Sequence, residues 1–198
     1  MAKRVIVFID EQNVYKAARR AFFEEHAPIR QGNFFPMKLA NLLCSRLPIG
    51  VKQERVIKEV RVYTAMPSSA VDPRSYVPHS RRCESWKEAG LTVIDRPLKY
   101  PRGNTPGEQK GLDVALAVDF VTLAIDDEYD IGIMFSTDTD LKPALEFVVP
   151  RASPEAEVAC WWSTSAESYL SVSGLAIWSH RLTEDDYKSV CDYTDYNW

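Results

Sequence analysis

The feature that most constrains the fold of this chain is an apolar run close to its start. Residues Arg4 to Ile9 read RVIVFI, a stretch rich in β-branched side chains that ends directly at the polar residue Asp10. A run that is apolar at every position, rather than at alternate positions, is typical of a strand buried on both faces of a parallel sheet. The chain is therefore predicted to build its core around a buried parallel strand that delivers Asp10 to one edge of the sheet.

Helical and extended patterns alternate along the remainder of the sequence. Helices are predicted over 13–25, 36–47, 72–90, 111–126, 140–149 and 167–173, and strands over 56–66, 91–95, 129–135, 157–162 and 175–178. Such alternation indicates a parallel sheet covered by helices on both faces. We expect an α/β fold, a single three-layer domain with a mainly parallel central sheet over residues 1–180, followed by an acidic, aromatic C-terminal extension over 181–198.

Composition limits the classes of protein. The formal net charge of −4 is unlike that of a protein held to nucleic acid by bulk positive charge. It leaves a nuclease open, because metal-binding carboxylates lower the net charge and a bound cation then restores local attraction for phosphate. No run of about 18 apolar residues or signal-peptide core is present, so no membrane association and a cytoplasmic location are expected.

Cysteine and histidine do not form a pattern of chemical interest. The four cysteines and three histidines are scattered, with no CxxC pair and no zinc-ligand spacing. Buried or idle thiols and surface or capping histidines are therefore expected at Cys44, Cys83, Cys160, Cys191, His26, His79 and His180.

Four aspartates are predicted to converge at one edge of the sheet. Asp10 and Asp138 each follow a buried strand, and sites in open parallel sheets form outside the carboxyl ends of the strands. Asp140 lies in the first turn of the next helix, where the helix dipole favours negative charge. Asp113 shares a helical stripe with Leu116 and further apolar residues, so a carboxylate is placed at the top of a buried face.

A bound divalent cation would offset the repulsion between the carboxylates of such a cluster. A buried carboxylate without a partner is costly or becomes protonated, and four carboxylates together repel one another. Oxygen ligands alone favour Mg²⁺ or Mn²⁺ over zinc. The alternative for each Asp taken singly is a helix cap or a turn former. Asp119 lies six residues beyond Asp113 and well around the helix, which makes it a solvated or outer group on geometry alone.

Three blocks of sequence resemble a known family. Residues 8–15 (FIDEQNVY), 110–114 (KGLDV) with Asp119 downstream, and 136–141 (STDTDL) followed by Pro143-Ala144-Leu145 resemble the motifs of NYN domains, which belong to the PIN-like nuclease superfamily. The resemblance is to the LabA-like, DUF88 type and extends from about Lys3 to Trp162. One departure is the bulky Glu11-Gln12 after the first Asp, which either narrows the substrate path or points to solvent.

The resemblance implies a PIN-like, Rossmann-like fold and a metal-dependent ribonuclease. In the family's pattern the metal-binding acids correspond to Asp10, Asp113, Asp138 and Asp140, and Asn13 corresponds to a catalytic residue that orients water or a substrate phosphate. Ser136 and Asp119 correspond to supporting, second-shell positions, and Lys110 to a residue near a phosphate. Further substrate contacts are expected from Tyr15, Lys99 and Arg102, with single-stranded RNA as the partner and a homodimer as an open expectation.

Two rival functions remain beside hydrolysis of RNA. One is an RNA-binding or regulatory module of the same fold without turnover, against which the complete acid set argues. The other is a phosphatase with an aspartyl nucleophile, whose DxD motif would directly follow the first strand, where Glu11-Gln12 stand instead. A nucleotide-cofactor enzyme is disfavoured because no GxGxxG follows any strand.

Overall fold

A computed structural model of the chain describes residues 1–101, 107–164 and 166–197. The strands are β1 (Lys3–Asp10), β2 (Arg55–Met66), β3 (Thr92–Pro97), β4 (Ile131–Phe135), β5 (Glu155–Trp161) and β6 (Trp178–Leu182). The helices are α1 (Glu11–Phe22), α2 (Pro36–Ser45), α3 (Pro73–Glu88), α4 (Leu112–Ile125), α5 (Lys142–Arg151) and α6 (Glu184–Val190), with a 3₁₀ turn at Thr139–Leu141.

All six strands form one parallel sheet in the order β3-β2-β1-β4-β5-β6. The predicted α/β fold with a parallel central sheet is therefore confirmed. β1 lies in the interior of the sheet between β2 and β4, and every residue from Val5 to Asp10 is buried. This explains the continuous apolar run that opens the sequence, because both faces of β1 are covered.

Alternate residues of β1 enter two different hydrophobic cores. Val5, Val7 and Ile9 pack with residues of α1, α2, α3 and α6, while Ile6 and Phe8 pack with residues of α4 and α5. The chain thus forms three layers, with the sheet in the middle. Asp10 continues the alternation of Ile6 and Phe8, so it belongs to the face that α4 and α5 cover.

The greatest differences from the predicted elements lie near the C-terminus. The helix predicted over 167–173 is wrong, because these residues form irregular chain in which Leu170 and Val172 are buried two residues apart, a spacing that no helical face provides. The last strand was expected over 175–178 and instead begins at Trp178. The boundary predicted at residue 180 falls inside this strand.

The helix α6 was not predicted from the sequence. It begins after Thr183, whose side chain and that of Asp186 form a reciprocal capping box. Tyr187 and Val190 are buried in the core on the side of the sheet that α1 covers, where the Tyr187 ring contacts that of Trp161. Residues 181–198, predicted to be an extension, therefore contribute to the sheet edge and to a core.

The helices of the described residues are too short or too polar to cross a membrane. The four cysteines are free thiols, two of them buried, as expected.

Candidate functional site

Asp10 is a buried carboxylate at the carboxyl end of β1, where only 5% of its surface is exposed. It caps α1, since its Oδ1 accepts a hydrogen bond of 3.2 Å from the backbone N–H of Asn13. Its Oδ2 accepts a bond of 3.1 Å from the hydroxyl of Ser136. The pKa of Asp10 is raised to about 7, chiefly by burial; the charges of Asp113 and Glu11 add to the shift, and the hydrogen bonds from Asn13 and Ser136 oppose it.

The loop after β4 is tied to the start of α1 by a second set of hydrogen bonds. The Ser136 hydroxyl accepts a bond of 3.1 Å from the backbone N–H of Asp138 while it donates to Asp10. The Asn13 side-chain oxygen accepts from both the N–H and the hydroxyl of Thr137, at 3.0 and 3.1 Å. Ser136 is fully buried. These bonds fix the Ser-x-Asp turn against the end of β1.

Asp138 and Asp140 follow directly on this turn. The Asp138 carboxylate accepts a bond of 3.0 Å from the backbone N–H of Asp140 and caps the 3₁₀ turn that leads into α5. Asp138 is half-buried and Asp140 is exposed. The structure therefore shows helix-capping roles for Asp10 and Asp138, which was the alternative reading of each residue taken singly, and these roles leave a carboxylate oxygen of Asp138 and the whole of Asp140 for other contacts.

Asp113 enters the same region from the opposite side. It lies in the first turn of α4, which begins after Gly111 in a left-handed conformation with φ 77°. Burial raises the pKa of Asp113, and the charges of Asp138 and Asp140 raise it further. The charge of Asp113 thus affects the pKa of Asp10, and the charges of Asp138 and Asp140 affect that of Asp113. A common site formed by the four acids remains a prediction.

The distances between these acids limit how they could hold a cation. In the described parts of the chain, no three His, Cys, Asp or Glu side chains lie close enough together to form a metal-binding group. Mg²⁺ keeps several of its waters and is commonly held by only one or two carboxylates. The all-oxygen donor set and the mutual repulsion of its charges therefore fit a largely hydrated Mg²⁺ or Mn²⁺, rather than an ion held by three carboxylates at once.

Asp119 faces a different pair of groups. Its Oδ2 accepts hydrogen bonds of 2.8 Å from the Arg61 guanidinium and from the Tyr63 hydroxyl. Tyr63 is the register partner of Asp10 in the neighbouring strand β2. Asp119 therefore anchors α4 to β2, and its supporting role in the site remains a prediction.

The predicted substrate-binding residues are spread over several elements. The Tyr15 hydroxyl donates to the Ile29 carbonyl at 2.9 Å, which holds the loop between α1 and α2. Lys99 is exposed and its backbone pairs with Glu108, while the Lys110 ammonium lies 2.9 Å from the Glu108 carboxylate just ahead of α4. Arg102 lies outside the described residues. A substrate role for these four residues remains a prediction.

Sequence reasoning missed a polar network behind Asp10. Glu11 is buried, and its carboxylate accepts bonds from the Arg82 guanidinium at 2.8 Å and from the Thr64 hydroxyl at 3.1 Å. Arg82 also donates to the Asn33 side chain at 3.0 Å and lies 3.1 Å from Nδ1 of His79. Of the two alternatives for Glu11, exposure to solvent is therefore wrong.

The network also fixes the state of His79. Arginine can only donate, so Nδ1 of His79 accepts from Arg82 and the proton resides on Nε2, which faces the Thr64 hydroxyl at 3.1 Å. Burial and the charge of Arg82 lower the pKa of His79 to about 4, in agreement with a neutral ring. Glu11 shares the helical stripe of Val14, Ala18 and further buried residues, so the phase argument used for Asp113 could have found this network.

His180 is likewise not a surface residue. It is buried, and its Nε2 lies 2.8 Å from the Glu157 carboxylate, which also accepts from Arg55 at 2.6 and 3.0 Å. This ion-paired group joins β2, β5 and β6 beneath α2 and is separate from the acidic space. Burial lowers the pKa of His180.

Comparisons with other proteins support this reading of the fold and of the motifs. A solved structure of a protein of unknown function from Vibrio parahaemolyticus is similar, with a TM-score of 0.56 and 18% identity over 93% of this chain and 94% of the other. That likeness concerns the fold alone. No curated protein matches the sequence. The family model described as NYN domain matches residues 4–194, nearly the whole chain, and NYN domains are PIN-like nuclease domains. The chain therefore belongs to the NYN domain family.

Proposed function

We propose that this protein is a metal-dependent ribonuclease of the LabA-like type, which hydrolyses phosphodiester bonds of single-stranded RNA. The observation that carries the proposal is the buried Asp10 carboxylate, whose pKa the charge of Asp113 raises, while the charges of Asp138 and Asp140 raise that of Asp113. Helix capping explains Asp10 and Asp138 singly, but it does not explain why acids that repel one another lie near one edge of the sheet. A polyanionic substrate bound through a divalent cation would explain it.

Asp10, Asp113, Asp138 and Asp140 are the residues that would hold Mg²⁺ or Mn²⁺. When bound, the ion supplies an activated water and stabilises negative charge on the phosphate. Ser136 holds Asp10 next to the Asp138 turn, because its hydroxyl donates a hydrogen bond to Asp10 and accepts one from the backbone N–H of Asp138. The Asn13 side-chain oxygen is occupied by Thr137, so its amide N–H groups remain to donate to a phosphate oxygen or to water. The expected products carry a 5′-phosphate and a 3′-hydroxyl.

The test is cleavage of single-stranded RNA with Mg²⁺ or Mn²⁺ by the wild-type protein and by Asp10→Asn and Asp138→Asn variants. Both variants are expected to lose at least two orders of magnitude in rate. Asp126→Asn, which alters an exposed carboxylate just after α4, is the matched control and is expected to cleave like the wild type. Equal cleavage by all four proteins would assign the activity to a contaminant or to another site.

A non-catalytic RNA-binding or regulatory module of the same fold is the rival proposal. It predicts RNA binding that is independent of divalent metal, together with intact RNA after prolonged incubation. A titration with Mg²⁺ in the cleavage assay separates the two, because the proposed enzyme requires the ion at every RNA concentration.

Self-association as a homodimer is a further part of the proposal, and α4 supports it. Val114, Val118 and Ile125 form a stripe on its outer face and are 65%, 52% and 61% exposed. A contiguous apolar stripe exposed on a helix commonly marks a surface that another protein covers. Packing of this stripe against the same stripe of a second copy would cover it on both.

A further inference from the structure

Three exposed or half-buried side chains form a stacked group at the edge of the sheet on β5 and β6. The Arg181 guanidinium carbon lies 4.4 Å from the ring centre of Trp162 and 4.6 Å from that of Tyr169. The two rings are 6.2 Å apart and tilted by 57°. We call Trp162, Tyr169 and Arg181 the stacking cluster. It was not among the site residues expected from the sequence.

The strand register places the stacking cluster at the same edge of the sheet as the acids. Phe135 of β4 pairs with Ala159 of β5, and three residues beyond this pair lie Asp138 on one chain segment and Trp162 on the other. Cys160 of β5 pairs in turn with Arg181 of β6. Neighbouring strands are about 5 Å apart, so the ends of β4 and β5, which lead into the Asp138 turn and into Trp162, lie roughly one strand spacing apart.

The cluster also lies on the same face of the sheet as the acids. Val158 packs in the core formed with α4 and α5, and Trp162 is four residues further along the same chain. Side chains alternate between the two faces, so an even separation keeps Trp162 on the side of Val158. Asp10 lies on this side as well, because it is two residues after Phe8, which packs in the same core. Asp113 lies in α4, which covers this side of the sheet.

The exposure and charge of the cluster are unusual for a purely structural contact. Tyr169 is 40% exposed and Arg181 is exposed, although stacked rings at a protein surface gain most when they are covered. Within the described ranges, Arg181 forms no ion pair with a carboxylate, unlike Arg4, Arg55, Arg61 and Arg82. Its positive charge is therefore not neutralised by a carboxylate of the described residues.

We propose that the stacking cluster is a binding subsite for one unpaired base and an adjoining phosphate of single-stranded RNA, next to the acidic pocket. The inference rests on the proposed function for its choice of substrate. An aromatic ring and a guanidinium plane accept any base by stacking, and the guanidinium edge donates to phosphate. A strand held here would run along the sheet edge toward Asp138, and the subsite would favour unpaired RNA because bases inside a duplex are not free to stack on a side chain.

Binding can be measured separately from cleavage. A fluorescent single-stranded oligouridylate of about twelve nucleotides is titrated with the protein in EDTA, beside an abasic ribose-phosphate chain of the same length. Tyr169→Ala is expected to weaken binding of the oligouridylate by about 5- to 100-fold and to leave binding of the abasic chain unchanged, because only the stacked base is lost. Arg181→Gln is expected to weaken binding of both chains.

Matched controls come from side chains of the same type elsewhere. Tyr193→Ala alters a tyrosine that is 53% exposed near the C-terminus, and Arg151→Gln removes an arginine that also lies over an aromatic ring, that of Phe147, at the far end of α5. Both are expected to bind the oligouridylate like the wild type. The melting temperature of each variant confirms that it is folded.

The outcomes distinguish the subsite from the proposed function. Cleavage by the wild type together with unchanged RNA binding by Tyr169→Ala and Arg181→Gln would overturn the subsite and leave the ribonuclease in place. Base-dependent binding that Tyr169→Ala weakens, without cleavage under any metal condition, would support the subsite and overturn the ribonuclease. Equal affinity of the wild type for the oligouridylate and the abasic chain, or no binding of either, would also overturn the subsite.

Discussion

The buried Asp10 carboxylate is expected to cost the metal-free protein stability at neutral and alkaline pH. Its pKa is raised from 3.8 to about 7 on folding, chiefly because it loses contact with water. A shift of about three units corresponds to roughly 4 kcal/mol, at 1.36 kcal/mol for each unit. The Asp10 carboxylate is almost completely buried, so solvent screens little of this cost.

The direction of the effect follows from linkage. The folded protein holds the Asp10 proton more tightly than the unfolded chain, so this contribution to stability is complete below pH 3.8 and is lost as the pH rises through about 7. Asn at this position keeps a side-chain oxygen for the Asn13 N–H and cannot ionise. The Asp10→Asn variant is therefore expected to match the wild type near pH 3.5 and to exceed its unfolding free energy by about 4 kcal/mol at pH 8.

Urea denaturation at a series of pH values, in EDTA, measures this difference directly. Asp126→Asn serves as the control, because it removes an exposed carboxylate and is expected to show no comparable trend with pH. Addition of Mg²⁺ at pH 8 should then stabilise the wild type and leave Asp10→Asn nearly unchanged, because the ion interacts with the ionised carboxylate. An Asp10→Asn variant less stable than the wild type at pH 8, or a difference that does not depend on pH, would refute this account of Asp10.

Three further expectations follow from contacts already described. Ser136→Ala removes a hydrogen bond that lowers the pKa of Asp10, so the pH profile of RNA cleavage should shift to more alkaline values and the rate at pH 7 should fall, as initial-rate measurements can show. Arg82→Gln leaves Glu11 buried without its charged partner and should lower the unfolding free energy in urea by about 3–5 kcal/mol, whereas a loss below 1 kcal/mol would mean that water replaces the arginine. Val118→Asp places a charge in the exposed stripe of α4 and should convert a dimer to a monomer in light scattering, while a wild-type protein that is already monomeric would contradict the proposed dimer.

The positions of Asp10 and Asp113 in the fold could be predicted because each depended on a local rule. The end of an apolar run indicates that Asp10 lies at the end of a buried strand, and helix phase places Asp113 in the first turn of α4 next to its apolar face. The first rule uses only the point at which the apolar run ends. The second uses only the 3.6-residue period of an α-helix. The same rules gave the parallel sheet, since alternation of strands and helices leaves few other architectures.

The features that sequence reasoning missed depend on contacts between distant segments. Glu11 meets Arg82 across 71 positions. Thr64, which donates to Glu11, and Asn33, which accepts from Arg82, come from two other parts of the chain. Helix phase indicates that Glu11 is buried, but nothing near it in the sequence shows that a cation will cover it. The stacking cluster is similar, because Arg181 reaches Trp162 only through the pairing of β5 with β6.

The helix α6 escaped prediction for a different reason. It has seven residues, four of them charged, and only Tyr187 and Val190 enter the core. A helix this short is stabilised by its capping box and by the burial of two side chains, and it is too short to show a long periodic apolar stripe. The chain over 167–173 is irregular for the opposite reason: it has no capping box, three of its seven residues are serines with weak helix propensity, and Leu170 and Val172 are buried two residues apart.

The parallel order of the strands has a consequence for how the protein acquires its site during folding. Asp10 and Ser136, which share a hydrogen bond, are 126 residues apart, and the pairing of β1 with β4 has the same separation. No tight hairpin joins any two neighbouring strands, so every strand pair closes a long loop before it gains a contact. In refolding experiments, helical circular dichroism should therefore return before RNA-cleaving activity. A chain that is still emerging from the ribosome has no partial form of the site until β4 has left the exit tunnel and paired with β1.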